Sequence, residues 1–227
     1  MNRVSGVIKL HYRDKWSWMY IPALILFSSF AVNLIISFLI PNQDMYTGGV
    51  SSVFIFIFVA GILVVAQTFP FAIGISIRRT DYFIGSAAVG TIASILFGSL
   101  IFLMALLEEQ SNGWGTKLHF FHFPYLNDGT SLEQLSIYII LFLYMFSLGF
   151  LISSFARRFG KKGMFILSMV FLLVGSIAVF LLHQYEAWWI IFSWFASQTA
   201  VQLAYWLIPF VLINLLASYL FLRRATV

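Results

Sequence analysis

Apolar runs long enough to cross a bilayer recur along the whole chain, separated only by short polar or charged stretches. A helix needs about 20 apolar residues to span the hydrocarbon layer. Read this way, the pattern predicts six spans, at residues 18–40, 52–77, 83–107, 135–156, 163–182 and 203–222, in a single transmembrane domain over residues 1–227. Pro22 falls in the first turn of the first span and Pro41 just past its end, positions that tolerate proline. No small-residue cleavage site follows that span, so it is expected to stay as an anchor and not be removed as a signal peptide.

Ahead of it, Val4, Val7, Ile8 and Tyr12 recur at helical spacing among Arg3, Lys9, Arg13 and Lys15. That arrangement predicts an amphipathic helix lying at the membrane surface. Residues 184–202 are apolar and carry Trp188, Trp189 and Trp194, but the run over 187–196 is too short to cross. A re-entrant or interfacial segment fits, because such backbone survives at depth only when it is buried against protein. The tryptophans read as headgroup anchors or as a platform for a substrate.

Inside the spans, three features predict local geometry. Pro70 lacks an N–H and should kink the second span by releasing the carbonyl of Ala66. Ser86, Gly90, Ser94 and Gly98 recur every fourth residue along the third span, a ridge of small side chains that lets another helix come close. Thr130 with Glu133, or Ser131 with Gln134, can form a capping box that starts the fourth span.

Composition agrees with the pattern and narrows the function. With 61% hydrophobic and 9% charged residues and a mean hydropathy of +0.95, the chain leaves no room for a soluble domain. The absence of cysteine removes disulfides, thiolate metal sites and cysteine nucleophiles. The net charge of +5 reports topology and not nucleic-acid binding, because the cations cluster at span ends. With both termini cytosolic, twelve of the thirteen Lys and Arg lie inside and only Lys117 lies outside, as basic residues favour the cytoplasmic side.

None of the six spans so drawn contains Asp, Glu, Lys, Arg or His. Proton-driven transporters place such groups in the membrane as relays, and intramembrane hydrolases need a base or metal ligand at depth. The polar groups at depth are amides and hydroxyls. Asn33, Gln67 and Asn214 read either as interhelical hydrogen-bonding groups that fix packing or as the lining of a path for an amphipathic solute. His119 and His122 in HFFHF lack a third ligand of matched spacing and read as interfacial packing, not as a metal site. Glu108 and Glu109 are paired like the glutamates of membrane-embedded prenyl-protein proteases, but the arginine and spaced histidines that should follow are missing. No Gly-rich loop ending in Gly-Lys-Ser/Thr occurs, so a Walker A ATP site is absent from the sequence.

The stretch PFAIGISIRRTDYFIGS, from Pro70 to Ser86, joins the second and third spans through a short charged turn and reads as a short cytosolic helix at the membrane surface. Six spans, cytosolic termini, an N-terminal surface helix, this turn and a re-entrant segment before the last span together resemble the ABC-2 type permeases of ATP-binding cassette exporters, in their small Gram-positive form. The resemblance implies an all-α polytopic fold of the type V exporter kind in the plasma membrane, without enzymatic activity or cofactor of its own. ATP and magnesium would sit on separate cytosolic ATPase subunits, and a second permease subunit, identical or paralogous, would complete the transporter. It further implies that Arg78, Arg79, Thr80, Asp81, Tyr82 and Phe83 form the coupling element against the ATPase, with residues 4–15 as a secondary contact. The cargo implied is an amphipathic or lipid-like solute, a peptide or a drug. For Arg78 and Arg79 simple topology marking is the alternative. For the whole chain the alternative is a non-transporting membrane module such as a sensor, a scaffold or an immunity protein, with an enzyme acting at the outer surface through residues 108–133 a more distant one.

Overall fold

The computed structural model describes residues 3–13, 16, 20–40, 43–122, 125, 126 and 129–225. The start of the first span at Trp18, together with Lys15 and Pro41, lies outside the described residues. In chain order the helices are α1 (Arg3–Arg13), α2 (Ile21–Leu39), α3 (Ser51–Leu63), α4 (Phe69–Gly74), α5 (Arg79–Gln110), α6 (Ser131–Gln184), α7 (Trp188–Ser197) and α8 (Ala200–Arg223). A five-residue π turn, Val64–Thr68, joins α3 to α4. Among the described residues the protein is all-α apart from one pair of two-residue strands, and five helical segments are long and apolar enough to cross a membrane: Ile21–Leu39, Ser51–Gly74, Arg79–Gln110, Ser131–Gln184 and Ala200–Arg223.

The fourth and fifth predicted spans thus form one segment of 54 residues, interrupted at Gly160, whose φ of 64° and ψ of −166° lie far from helical values. A side chain would resist that φ, and glycine does not. The predicted capping box exists: the Glu133 N–H donates to Thr130 Oγ1 (3.4 Å), and the Thr130 N–H donates to Glu133 Oε2 (2.7 Å). A second box, Thr199 with Gln202, starts α8 at Ala200. The last helix therefore begins inside the stretch expected to be re-entrant, and only α7 remains of that segment.

The bundle is built on α6. Where α3 crosses it, Gly61 lies against the Phe146 carbonyl and Gly149 against the Phe58 carbonyl, so backbone meets backbone. The small-residue ridge of α5 behaves as its spacing predicts. Ser86, Gly90, Ser94 and Gly98 are all buried, with Gly90 under the Phe146 ring and Gly98 against the backbone of Ile139. Aromatic rings fill the remaining space, with Phe54 stacked on Phe142 at 4.3 Å and Phe146 on Phe150 at 5.7 Å. Ile137 packs near Ala200 and Ala204, Ser147 bonds Asn214, and Phe155 meets Phe221. The first arm of α6 and α8 therefore run parallel.

The N-terminal helix packs on the start of α5. Its buried face is Val7 and His11, and Tyr12, expected on that face, is 65% exposed. His11 replaces it because His11 Nε2 lies 3.0 Å from Ser86 Oγ and Val7 fills the gap over Gly85. A Cβ at Gly85 would stand 2.6 Å from Val7 Cβ and 3.3 Å from the Val4 carbonyl. Gly85→Leu should therefore lift α1 off α5 at a cost of ~1–3 kcal/mol. Limited trypsin digestion should then cut at Lys9 faster by on the order of tenfold; an unchanged rate would mean that α1 is not seated there.

Candidate functional site

Two ends of the bundle carry the polar chemistry. At one, the second helical segment turns into the third. Its backbone closes on itself: the Ser76 N–H donates to the Ile73 carbonyl (2.9 Å) and the Ile77 N–H to the Ala72 carbonyl (3.0 Å), with Ser76 at φ 61°. This is the paired bonding of a Schellman stop, with serine in the left-handed position that glycine usually takes. Arg78 then adopts an extended conformation (ψ 141°), and α5 begins at once with Arg79, Asp81 lying in its first turn where the helix dipole favours an acid. The separate surface helix expected here does not form, because nothing lies between the end of one helix and the start of the next except the stop itself.

The six residues expected to form a docking face divide in two. Arg78 and Thr80 are exposed, and Arg79 and Asp81 are half-buried. Tyr82 is fully buried; its hydroxyl donates to the Val64 carbonyl (2.9 Å) and lies 2.8 Å from Thr68 Oγ1. Phe83 also turns inward, 5.9 Å from Phe150 and 5.3 Å from Tyr219. The face open to a partner is therefore Arg78 to Asp81, with Tyr82 and Phe83 as its inner anchors. Burial of an aromatic pair four residues into a helix is a packing outcome that headgroup preference could not foretell.

Arginines from distant segments gather around this elbow. Arg79 Nη1 donates to the Arg223 carbonyl (3.0 Å), Arg158 Nη1 to the Leu220 carbonyl (3.4 Å) and Arg157 Nη2 to the Ala66 carbonyl (2.8 Å). The Arg158 guanidinium also lies over the Phe159 ring, at 5.0 Å. Among the described residues none of these cations has a carboxylate within ion-pair distance. They cap carbonyls at helix ends and breaks.

The three amides proposed to line a path are not brought together. Asn33 is half-buried and its Nδ2 donates to the Ser29 carbonyl of its own helix (2.8 Å). Asn214 is buried and its Nδ2 donates to Ser147 Oγ (3.2 Å), the interhelical packing bond weighed for it. Gln67 alone is exposed, on the π turn beside Pro70.

The other end of the bundle is a cap that sequence reasoning missed. Strands β1 (Met45–Tyr46) and β2 (Leu118–His119) pair in parallel, Tyr46 stacks on His119 at 4.5 Å, and Lys117 Nζ lies 3.9 Å from Asp44. The cap is held by Glu108, placed in a polar loop by the sequence pattern but found on α5, which runs one turn further than expected, and only 1% exposed. Its carboxylate accepts from the backbone N–H groups of Phe120, Phe121 and His122 and from Trp114 Nε1, at 2.8–3.1 Å. His119 Nδ1 stands 3.8 Å away. A cavity of about 140 Å³ opens beside it, lined by Glu108, Glu109, Asn112, Gly113, His119 and His122. Among the described residues no three acids or histidines are placed to hold a metal ion. With its oxygens given to main-chain donors, Glu108 acts as a structural bracket. No protein-family model, no curated protein and no solved structure matches this chain.

Proposed function

We propose that this chain is the membrane-spanning permease subunit of an ATP-binding cassette exporter of the ABC-2 type, working with separate ATPase subunits and a second permease subunit, identical or paralogous. The observation that carries the reading is the elbow. Its tip, Arg78 and Thr80, is exposed and basic, while its flanks are tied by Tyr82, Arg79 and Arg157 to the π turn, to α8 and to α6. A push on such a tip moves three helices together instead of bending one loop. The only fully buried carboxylate among the described residues is Glu108, engaged at the cap end, which supports a chain driven by a partner.

Reach supports a reading of six crossings. The first arm of α6 and α8 run parallel, so the chain must return from the elbow end to the cap end between Gly160 and Ala200. A helix over residues 161–184 rises ~36 Å at 1.5 Å per residue, enough to recross the bilayer. The basic residues at the elbow end, drawn from three separate segments, support a cytosolic elbow and cytosolic termini in the plasma membrane. Residues 163–184 leave their apolar side chains uncovered, Phe171 at 79%, a face for lipid and for the second permease subunit. Alternating access driven by ATP closure would move an amphipathic or lipid-like solute, a peptide or a drug along the path between the two subunits, with Gln67 the amide left open to it.

The test is reconstitution with the ATPase that co-purifies. Arg78→Ala with Asp81→Ala should cut cargo-stimulated ATP hydrolysis by about tenfold or more, the loss of one or two charge-assisted contacts, while the fold persists. Full stimulation in that variant, or purification without any ATPase, would remove the exporter reading.

A further inference from the structure

The geometry points to a clasp at the hinge of the elbow, in which Arg157 is the positioning residue. This rests on the reading of the elbow as the coupling point, but the clasp itself is defined by hydrogen bonds that can be tested without any ATPase. Pro70 contributes no N–H to the carbonyls one turn before it. The helix widens over Val64–Thr68, and two carbonyls of that turn accept from side chains. Val64 O accepts from the Tyr82 hydroxyl at 2.9 Å and from Thr68 Oγ1 at 2.6 Å. Ala66 O, four residues before the proline, accepts from Arg157 Nη2 at 2.8 Å.

Arg157 lies three residues before the break at Gly160, at the end of the first arm of α6. The weakest point of the second segment, the first turn of α5 and the end of that arm therefore meet through side chains and not through a continuous backbone ladder. A side-chain clasp can open and close where a helical ladder cannot without unwinding. Closed, it makes the elbow move as one body with α6. Open, it leaves Phe69 to Gly74 free to swing about the π turn. A sequence reading assigns Arg157 only to the count of inward charges. Its geometric role appears once the carbonyl orphaned by Pro70 is seen to face it.

A double-mutant cycle tests the clasp. Pro70→Ala returns an N–H to the position that faces Ala66, so Arg157 becomes redundant in that background. In detergent, Arg157→Ala alone should lower the thermal midpoint by ~3 °C or more, and in the Pro70→Ala background by less than half as much. Arg157→Lys, which keeps a cationic donor, should recover most of the loss. The chain has no cysteine, so Thr80→Cys carries a single spin label at the tip. Its mobility should rise in Arg157→Ala and fall back when Pro70→Ala is added. If Arg157→Ala fails to accumulate, rescue of expression by Pro70→Ala supports the clasp, and no rescue overturns it. Additive midpoint shifts with an unchanged label spectrum also overturn it, whatever docks at the elbow. A non-additive cycle alongside full ATPase stimulation in Arg78→Ala with Asp81→Ala would keep the clasp and remove the coupling reading.

Discussion

Glu108→Ala is expected to unfold the cap and to lower the stability of the whole protein by ~3–5 kcal/mol, the combined cost of several buried donors losing their acceptor. Four donors converge on this carboxylate, three of them main-chain N–H groups of consecutive residues. Without it these donors lose their acceptor, and each one left unsatisfied costs ~1–3 kcal/mol. The loop also holds Asn112, Trp114 and Lys117 at positive φ, conformations that cost ~1–3 kcal/mol each and persist only when the surroundings impose them. Glu108 is what imposes them. Thermal unfolding in detergent should show a midpoint lower by ~6–20 °C, using 2–4 °C per kcal/mol for a chain of this size, and trypsin should cut at Lys117 in the folded state. Glu108→Gln keeps the shape but turns an amide NH₂ toward some of the donors, so it should fall between the two. A midpoint within a degree of the parent for Glu108→Ala would mean that the bracket does not hold the cap.

Gly149→Leu is expected to abolish assembly of the bundle. The glycine lies against the Phe58 carbonyl, with the Ile62 nitrogen 3.1 Å from where a Cβ would stand, and Gly61 makes the reciprocal contact with the Phe146 carbonyl. Backbone cannot move aside as a flexible side chain can, so α3 and α6 would have to separate along their whole crossing. Overpacking a well-fitted site costs ~1–3 kcal/mol and more where the neighbours are rigid; here the helix contact that closes the core is lost with it. Size-exclusion profiles in mild detergent should lose the monodisperse peak for Gly149→Leu and Gly61→Leu. Gly48 has nothing within 4 Å of its Cβ direction, so Gly48→Leu should run as the parent does. Equal behaviour of Gly149→Leu and Gly48→Leu would refute the close crossing.

These two sites bound the elbow mechanically. The cap end is tied by a buried carboxylate and a strand pair, and the waist is closed by backbone contact, so both resist relative motion. The elbow end is held by guanidinium bonds to carbonyls at helix ends and breaks, side-chain contacts at the edge of the bundle. Motion introduced there has somewhere to go, and the rest of the bundle gives it a fixed frame. That difference in bonding makes the elbow the candidate for coupling and the cap a candidate for stability alone.

Much of this architecture was legible in the residue pattern because it depends on short-range rules. Run length set the apolar helices, Thr130 and Glu133 set a helix start, the four-residue period of Ser86, Gly90, Ser94 and Gly98 set a close-packing ridge, and Pro70 set an orphaned carbonyl at Ala66. What only the tertiary structure decided is who answers each of these demands. That Arg157 caps Ala66, that Tyr82 turns inward, that His11 and not Tyr12 seats the first helix, and that Glu108 gathers a loop are choices between partners far apart in sequence. A local pattern states what a backbone lacks or can present; only packing in three dimensions brings up the group that satisfies it, because hydrogen bonds and contacts depend on distance and direction and not on position along the chain.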